Sequence, residues 1–583
     1  MPKLELGIYL KVLTEKIIYG GSFFLIMCFC VFPSKAQNID RIFQQQDNII
    51  SREEQHQKIL QEQFREHSPP QDQEIEEPSK KPQHLEKTFK FKEIILEGAN
   101  LLDEEEKKEL TKDFTNRILC LSEINDLLRK ITNYYIEKGY VTARAYLVPQ
   151  DLTSGILKIV ILEGNIESIK IKHNGEVLEG KCHVIPTDKN EVLNLRHLEQ
   201  GIDQITRLKS YDAKIDLEPG EKDGGMYVVI NTTQDRPFFI NAFTDNYGLK
   251  STGEKQFEVQ GVYDDLLGLY DSWGVDYRRN LDLDNFDLYS KNLSFQGSVP
   301  VGYWTVRYFG SLFKYLSTVK GQFQSFHFSG NNQTHRGEIE HILHRNGKGK
   351  TGIAPFLAYK DFNNFVENVL LKVGSPRLSM AGARLFHVRR FWEGVLSSAF
   401  TYTQGMQLFG ALKNKETAPK SPKPQFSRYS VDLSYFKPFK LSEEEFVFYT
   451  LTSAQYSPQN LFSSERISFG GAQTVRGYQD TNLSGNTGLY IRNDLAWTVL
   501  DPKEQVVKRL LGKVQSFVGY DYGWIRKDNS NPFERGFLES ICLGFRLEGG
   551  LAAGEIAIAK SLARPSFLKK EGTVFHIRFG INY

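Results

Sequence analysis

Residues 518–524 read Val518-Gly519-Tyr520-Asp521-Tyr522-Gly523-Trp524. An extended chain alternates its side chains between two faces. Gly519, Asp521 and Gly523 therefore share one face, and Val518, Tyr520, Tyr522 and Trp524 the other. In a soluble sandwich this is a half-buried strand with one wet face. In a transmembrane barrel the aromatic face meets lipid and the carboxylate face meets the lumen. A carboxylate fixed in a lumen invites a cation. Upstream, Val475-Arg476-Gly477-Tyr478 follows the Gly-rich run Phe469-Gly470-Gly471-Ala472-Gln473-Thr474, between two strand-like stretches. Arg476 is the candidate cation, and the pairing suggests a plugged pore that changes state to pass something.

The same period of two recurs from about Pro237 to the end of the chain. Tyr429, Val431, Leu433 and Tyr435 alternate with Ser430, Asp432 and Ser434. Leu489, Ile491, Leu495 and Trp497 oppose Arg492 and Asp494, and Ile541, Leu543, Phe545 and Leu547 oppose Ser540, Cys542, Gly544 and Arg546. The last run, Phe575, Ile577, Phe579, Ile581 and Tyr583, is the cleanest. No helical crossover interrupts these strands. From position 235 onward, at roughly 20–22 residues per strand and connection, the chain accommodates about 16 strands, within the range of membrane barrels. Aromatic residues make up 13% of the chain and Gly contributes 47 residues, which suits a barrel with a polar interior.

The N-terminus reads as a secretory signal. Lys3, Lys11 and Lys16 precede an apolar run over 17–32, and Ser34-Lys35-Ala36 places small residues at a cleavage site after Ala36. No long apolar run follows, so a mature chain in a membrane must cross it by strands. The formal net charge of +2 is too small to argue for nucleic acid or an acidic substrate. Cys120, Cys182 and Cys542 remain after cleavage, an odd and widely spaced set that argues against a disulfide framework. No Cys/His spacing resembles a metal site. No G-x-S-x-G, P-loop or H-E-x-x-H motif occurs, and His341 and His344 read as surface residues. Asp264-Asp265 reads as a turn.

Between the signal and the barrel lie four further segments. Residues 37–66 read as a polar amphipathic helix and 67–87, with Pro69-Pro70, Pro78 and Pro82, as a flexible linker. Residues 88–164 form a small α/β unit. Its expected strands run Phe89–Leu96, Tyr140–Leu147 and Ile156–Leu162. Its expected helix carries Ile124, Leu127, Leu128, Ile131 and Tyr135 on one face, with Ser122 as N-cap and Gly139 as a left-handed stop. Residues 165–234 repeat the plan, with a helix faced by Leu195, Leu198, Ile202 and Ile205.

The stretch 135–147, containing Gly139, Tyr140 and Tyr146, followed by Gln150 and Asp151, closely resembles the first POTRA domain of two-partner secretion transporters. These are the TpsB proteins, the ShlB/FhaC/HecB haemolysin secretion/activation proteins of the Omp85 superfamily. Residues 193–201 and Asp212-Ala213-Lys214-Ile215 resemble their second POTRA domain. Asp245-Asn246-Tyr247-Gly248 with Thr252-Gly253 resembles the first barrel strand and turn. Val475-Arg476-Gly477-Tyr478 matches the motif at the tip of the family's pore loop, and Asp521 with Gly523 the D-x-G of the barrel wall. Two residues before Asp521, where the family commonly has Phe, this chain has Gly519, with Phe517 two residues earlier still.

The resemblance implies a transmembrane β-barrel of about 16 antiparallel strands spanning 235–583 in the bacterial outer membrane. Its loop around 469–478 folds inward, and a helix over 37–66 occupies the pore. POTRA domains at 88–164 and 165–234 lie in the periplasm and bind an unfolded exoprotein, a haemolysin-like or adhesin-like TpsA partner. The barrel exports that partner without ATP. The resemblance brings in no cofactor, metal, nucleic acid or small-molecule substrate. An Omp85-type insertase and a passive porin or surface-binding barrel remain the alternatives. In a wet lumen the Arg476–Asp521 pair is expected to contribute only about 1 kcal/mol, close to an exposed pair.

Overall fold

A computed structural model describes residues 88–583, except 179–181, 223, 283–286, 321–323, 420 and 529–532. The signal segment, polar helix and linker expected over 1–87 fall outside the described residues.

The first unit runs β1 (Thr88–Phe91), β2 (Glu93–Glu97), α1 (Glu104–Thr111), β3 (Arg117–Cys120), α2 (Leu121–Glu137), β4 (Arg144–Leu147) and β5 (Ile156–Leu162). Apolar residues at helical spacing on α2, from Ile124 to Tyr135, bury against Phe91, Leu119, Leu157 and Ile159. Several local expectations need correction. The single strand expected over Phe89–Leu96 is two strands with different partners: β1 pairs β3, and β2 pairs β5. Only residues 144–147 of the expected Tyr140–Leu147 strand are extended. The N-cap of α2 is Cys120 rather than Ser122, and its N–H donates to Glu123 at 2.9 Å. Helix α1 shows no apolar stripe in the sequence, because its residues are nearly all charged. Its signal was present as Asp103 and Glu106, which form a reciprocal capping box. Gly139 ends α2 at φ +97°, and a Cβ there would sit 2.5 Å from Asn194 Oδ1.

The second unit runs β6 (Asn165–His173), β7 (Glu176–Leu178), α3 (Leu195–Thr206), β8 (Tyr211–Pro219) and β9 (Gly225–Gln234), with sheet order β7-β6-β9-β8. Leu195, Leu198 and Ile205 of α3 bury onto Val228 and Ile230 of the sheet.

Sixteen antiparallel strands then close into a barrel. They are β10 (Phe238–Asp245), β11 (Gln256–Asp264), β12 (Ser272–Asn280), β13 (Tyr289–Val301), β14 (Trp304–Lys320), β15 (Ser325–Asn346) and β16 (Gly349–Val366), whose end pairs antiparallel with the two-residue β17 (Val369–Leu370). After these come β18 (Arg377–Phe391), β19 (Gly394–Met406), β20 (Ser427–Leu441) and β21 (Glu444–Tyr456). A small hairpin of β22 (Ile467–Phe469) and β23 (Leu483–Gly485) interrupts the meander. The wall resumes with β24 (Gly488–Leu500), a short helix α4 (Gln505–Leu511), β25 (Gly512–Ile525), β26 (Gly536–Gly549), β27 (Ala552–Ala563) and β28 (Thr573–Asn582). Closure is by β10 against β28, from Asn241↔Asn582 to Asp245↔Arg578. Full closure removes the sheet edge, which lipid does not tolerate.

The alternation now has a physical cause. Phe575, Ile577, Phe579, Ile581 and Tyr583 point outward and are exposed, whereas Val574 and His576 of the same strand are buried inward. On β26, Phe537, Ile541, Leu543 and Phe545 face out, and Leu538, Ser540 and Cys542 face in. No helix among the described residues is long and apolar enough to cross a membrane.

The second unit is docked on one rim of this barrel. Gln200 and Gln204 of α3 donate to the Gly302 carbonyl in the β13–β14 turn, each at 3.3 Å. Asp203 accepts from Arg345 at 2.7 Å and Lys350 at 3.1 Å, on either side of the β15–β16 turn. Ser210 N–H and Tyr211 hydroxyl donate to Asp264 and Asp265 at 3.2 and 2.6 Å. The carboxylates read from sequence as a plain turn therefore also hold the neighbouring unit. Arg345 also reaches Glu199, at 3.3 Å. Arg345→Ala removes three partly buried charge-assisted contacts, to Asp203, Glu199 and Gln200, worth about 1–2 kcal/mol together. The undocked population is expected to rise roughly tenfold, read as broadened distances between spin labels on α3 and the barrel rim. An unchanged distance distribution contradicts this.

Candidate functional site

The connection between β21 and β24, residues 457–487, does not stay outside the barrel. Its β22–β23 hairpin carries the tip, residues 470–482, against the inner wall. Gly470 and Gly471 turn the chain at φ +122° and +131°, angles open to glycine. Beyond them Val475 and Tyr478 are fully buried, in one cluster with Phe469, Leu483, Tyr490, Ile525 and Leu538.

Arg476 is fully buried, as is Asp521. Its Nε donates to Asp521 Oδ2 at 2.9 Å and its Nη2 to Oδ1 at 2.5 Å, a bidentate fork. The Arg476 backbone N–H adds a third donor to Oδ2 at 3.0 Å, and Ser540 Oγ a fourth at 3.1 Å. Asp494, which the sequence reading did not assign to the pair, lies 2.6 Å from Arg476 Nη1 and 3.2 Å from Arg492 Nη2. Arg492 in turn donates to the Ala472 carbonyl of the tip at 3.1 Å. Two guanidiniums thus balance two carboxylates, and strand pairing fixes the acids: Arg492 faces Asp521, and Asp494 faces Gly519, across β24 and β25. Period two alone flagged Asp494, since it shares the inward parity of Arg492.

The expectation of a wet pair worth about 1 kcal/mol does not hold. The tip itself, with Phe517 and Tyr478, excludes solvent from the ions. Removing one partner from a buried pair costs about 3–5 kcal/mol.

The glycines of the motif are where the chains meet. A Cβ on Gly519 would lie 2.1 Å from Arg476 Nη2, and one on Gly523 2.4 Å from the Phe469 ring. A Cβ on Gly477 would lie 2.6 Å from Ser540 Cβ and 2.8 Å from Ser561 N. The aromatic that accompanies Asp521 on its face is Phe517, four residues before it. Its ring centroid is 5.8 Å from the Arg476 guanidinium. Tyr478 is part of the seat, with its hydroxyl donating to the Ala563 carbonyl of β27 at 2.5 Å. From β28, His576 Nε2 meets the Arg476 carbonyl at 2.7 Å. The tip therefore touches five consecutive wall strands, β24 to β28.

The POTRA residues singled out from sequence lie elsewhere, in the first unit. Tyr140 packs edge-on against Tyr135 at 6.1 Å. Gln150 side chain binds both the N–H and the carbonyl of Lys158, at 2.8 and 2.7 Å, and so extends the β4–β5 ladder beyond Leu147. Asp151 caps the turn 152–154 through Thr153 N–H at 2.9 Å. Tyr146 stands exposed on β4. Gly139 meets the second unit at Asn194, as described above.

A barrel with a loop seated inside it and two tandem α/β units, the second docked on one rim, is a specific architecture. Residues 224–547 match the family of haemolysin secretion/activation proteins ShlB/FhaC/HecB. The chain belongs to that family. Residues 89–164 match the ShlB-type POTRA domain and residues 165–219 a further POTRA domain. The outer membrane transporter CdiB of Escherichia coli is 31% identical over 496 residues, covering 85% of this chain and 82% of that protein. The hemolysin transporter protein ShlB of Serratia marcescens is 28% identical over 464 residues, 79% of this chain and 78% of that one. The solved structure of CdiB from Escherichia coli superposes with a TM-score of 0.84 at 29% identity, over 94% of this chain and 98% of that one. CdiB from Acinetobacter baumannii, at 20% identity and a TM-score of 0.76, shares the fold. This member of the family is an outer-membrane transporter of the two-partner secretion type, with its POTRA units in the periplasm.

Proposed function

We propose that this chain takes an unfolded exoprotein from the periplasm through its POTRA domains and passes it through the barrel to the cell surface, without nucleotide hydrolysis. The loop seated by Arg476 is the gate. The observation that carries this reading is the buried four-ion seat on β24 and β25, made by a loop that enters its own lumen. A loop so placed must leave its position for a polypeptide to pass. A seat of ion pairs and hydrogen bonds offers one defined place to which it returns.

Recruitment rests on strand addition, in which an extended chain pairs with an open sheet edge. The edges that fit are β2 and β4 in the first unit and β7 and β8 in the second, each with a strand neighbour on one side only. The S. marcescens relative is named as a hemolysin transporter, which supports a protein cargo here.

The test is co-expression with a candidate cargo, a large, repeat-rich exoprotein that carries its own secretion signal. The cargo is expected in the culture medium only when both are produced. Its equal appearance without this chain overturns the reading. Loss of other barrels from the outer membrane on depletion of this chain favours an insertase instead.

A further inference from the structure

The seated tip is not the only place where the pore loop is pinned by charge. The loop leaves β21 and makes a single turn at residues 463–465 before the hairpin starts. The last residue of that turn, Glu465, is buried, with its carboxylate fully enclosed. Lys360 Nζ of β16 lies 2.7 Å from one carboxylate oxygen, and Arg428 Nη1 of β20 lies 2.6 Å from the other. Gln455 of β21 donates to the Glu465 carbonyl at 3.0 Å. Lys360 is six residues from the outer end of β16, and Arg428 is the second residue of β20, so both stand toward the mouth opposite the POTRA rim. A buried carboxylate stays charged at such a place only because two cations enclose it.

The partner sets of the two anchorages share no residue. The tip holds to β24–β28. Glu465 holds the stem to β16, β20 and β21, beside the Arg466–Glu534 pair at 2.5 Å. We propose that Glu465 is the pivot of the gate: it keeps the stem of the loop clamped to the mouth while the tip leaves and regains its seat. This rests on the reading of the loop as gate. A tip released from a clamped stem swings through a limited arc and finds its seat again. With the stem released as well, the whole loop wanders in the lumen and reseating is slow. Glu465 is thus a positioning residue that acts through the loop and not on the cargo.

The test uses the purified mature chain in planar bilayers, with folding checked by migration of the unheated barrel on gels. Glu465→Gln keeps the size of the side chain and removes its charge. It is expected to lengthen open dwell times at least tenfold, and Lys360→Met, which breaks the same clamp from the wall, is expected to do the same. The two changes together should do no more than either alone, because they disrupt one interaction. Arg476→Ala combined with Glu465→Gln should instead multiply, because the anchorages are separate. Wild-type dwell times in both clamp variants, with Arg476→Ala altering the openings, overturn the pivot and leave the gate standing. Wild-type behaviour in all three variants overturns the gate reading itself. Should Glu465→Gln not fold, Lys360→Met decides the question alone.

Discussion

Asp521→Ala is expected to reduce export of the partner exoprotein by at least about tenfold while the barrel still folds and inserts. The carboxylate accepts from Arg476 through Nε, Nη2 and the backbone N–H, and from Ser540. Its loss leaves a buried guanidinium with half of its counter-charge. The cost of about 3–5 kcal/mol falls on the seated state alone. That shifts the seated-to-free ratio by roughly a hundred- to several-thousand-fold. The wall does not depend on the pair, because β24 and β25 are joined by twelve residue pairs of their own. Arg476→Ala is expected to act in the same direction, since it leaves Asp521 and Asp494 as adjacent buried carboxylates. Wild-type export from both variants, with insertion intact, contradicts this account of the seat.

The second large effect comes from a single methyl group. Gly477→Ala would place its Cβ 2.6 Å from Ser540 Cβ, 2.8 Å from Ser561 N and 2.9 Å from Ser561 Cα. Those distances are well inside van der Waals contact, and two of the three atoms are backbone of the wall, which cannot step aside. The tip must back out by several tenths of an ångström. Such a displacement stretches and misaligns the Arg476 fork and the Tyr478–Ala563 bond together, and hydrogen bonds weaken steeply as they lose alignment. Export is expected to fall to a level near that of Arg476→Ala. Gly261→Ala serves as the control. Gly261 lies in wall strand β11 with open space where its Cβ would be, and export should stay at the wild-type level. Full export with Gly477→Ala contradicts the close approach of tip and wall.

The architecture was legible because lipid on one side and a polar lumen on the other impose a period of two on every strand. Phe575 to Tyr583 carries that period without a break. The partnership of Arg476 with Asp521 was legible because a carboxylate on the inward parity needs a cation. The degree of burial was not legible, since Phe517, Val475 and Tyr478 close over the ions only after 45 residues of chain have folded back. Asp494 was within reach, on the same parity as Arg492, but nothing local says that a residue 18 positions from Arg476 lies beside it. Glu465 gave no signal at all: its cations stand on β16 and β20, and only closure of the barrel brings them to it. In the POTRA units the errors are local. Lys92 splits one expected strand in two, and a charged helix was hidden by the lack of an apolar stripe.

The most direct test of the central claim is passage of the unfolded exoprotein into liposomes holding only the purified protein, POTRA units outward, with no nucleotide present. The account predicts that the cargo becomes protected from added protease in liposomes with the wild-type chain and stays digestible in those with Asp521→Ala. No protection with the wild-type chain, or equal protection with Asp521→Ala, would contradict it.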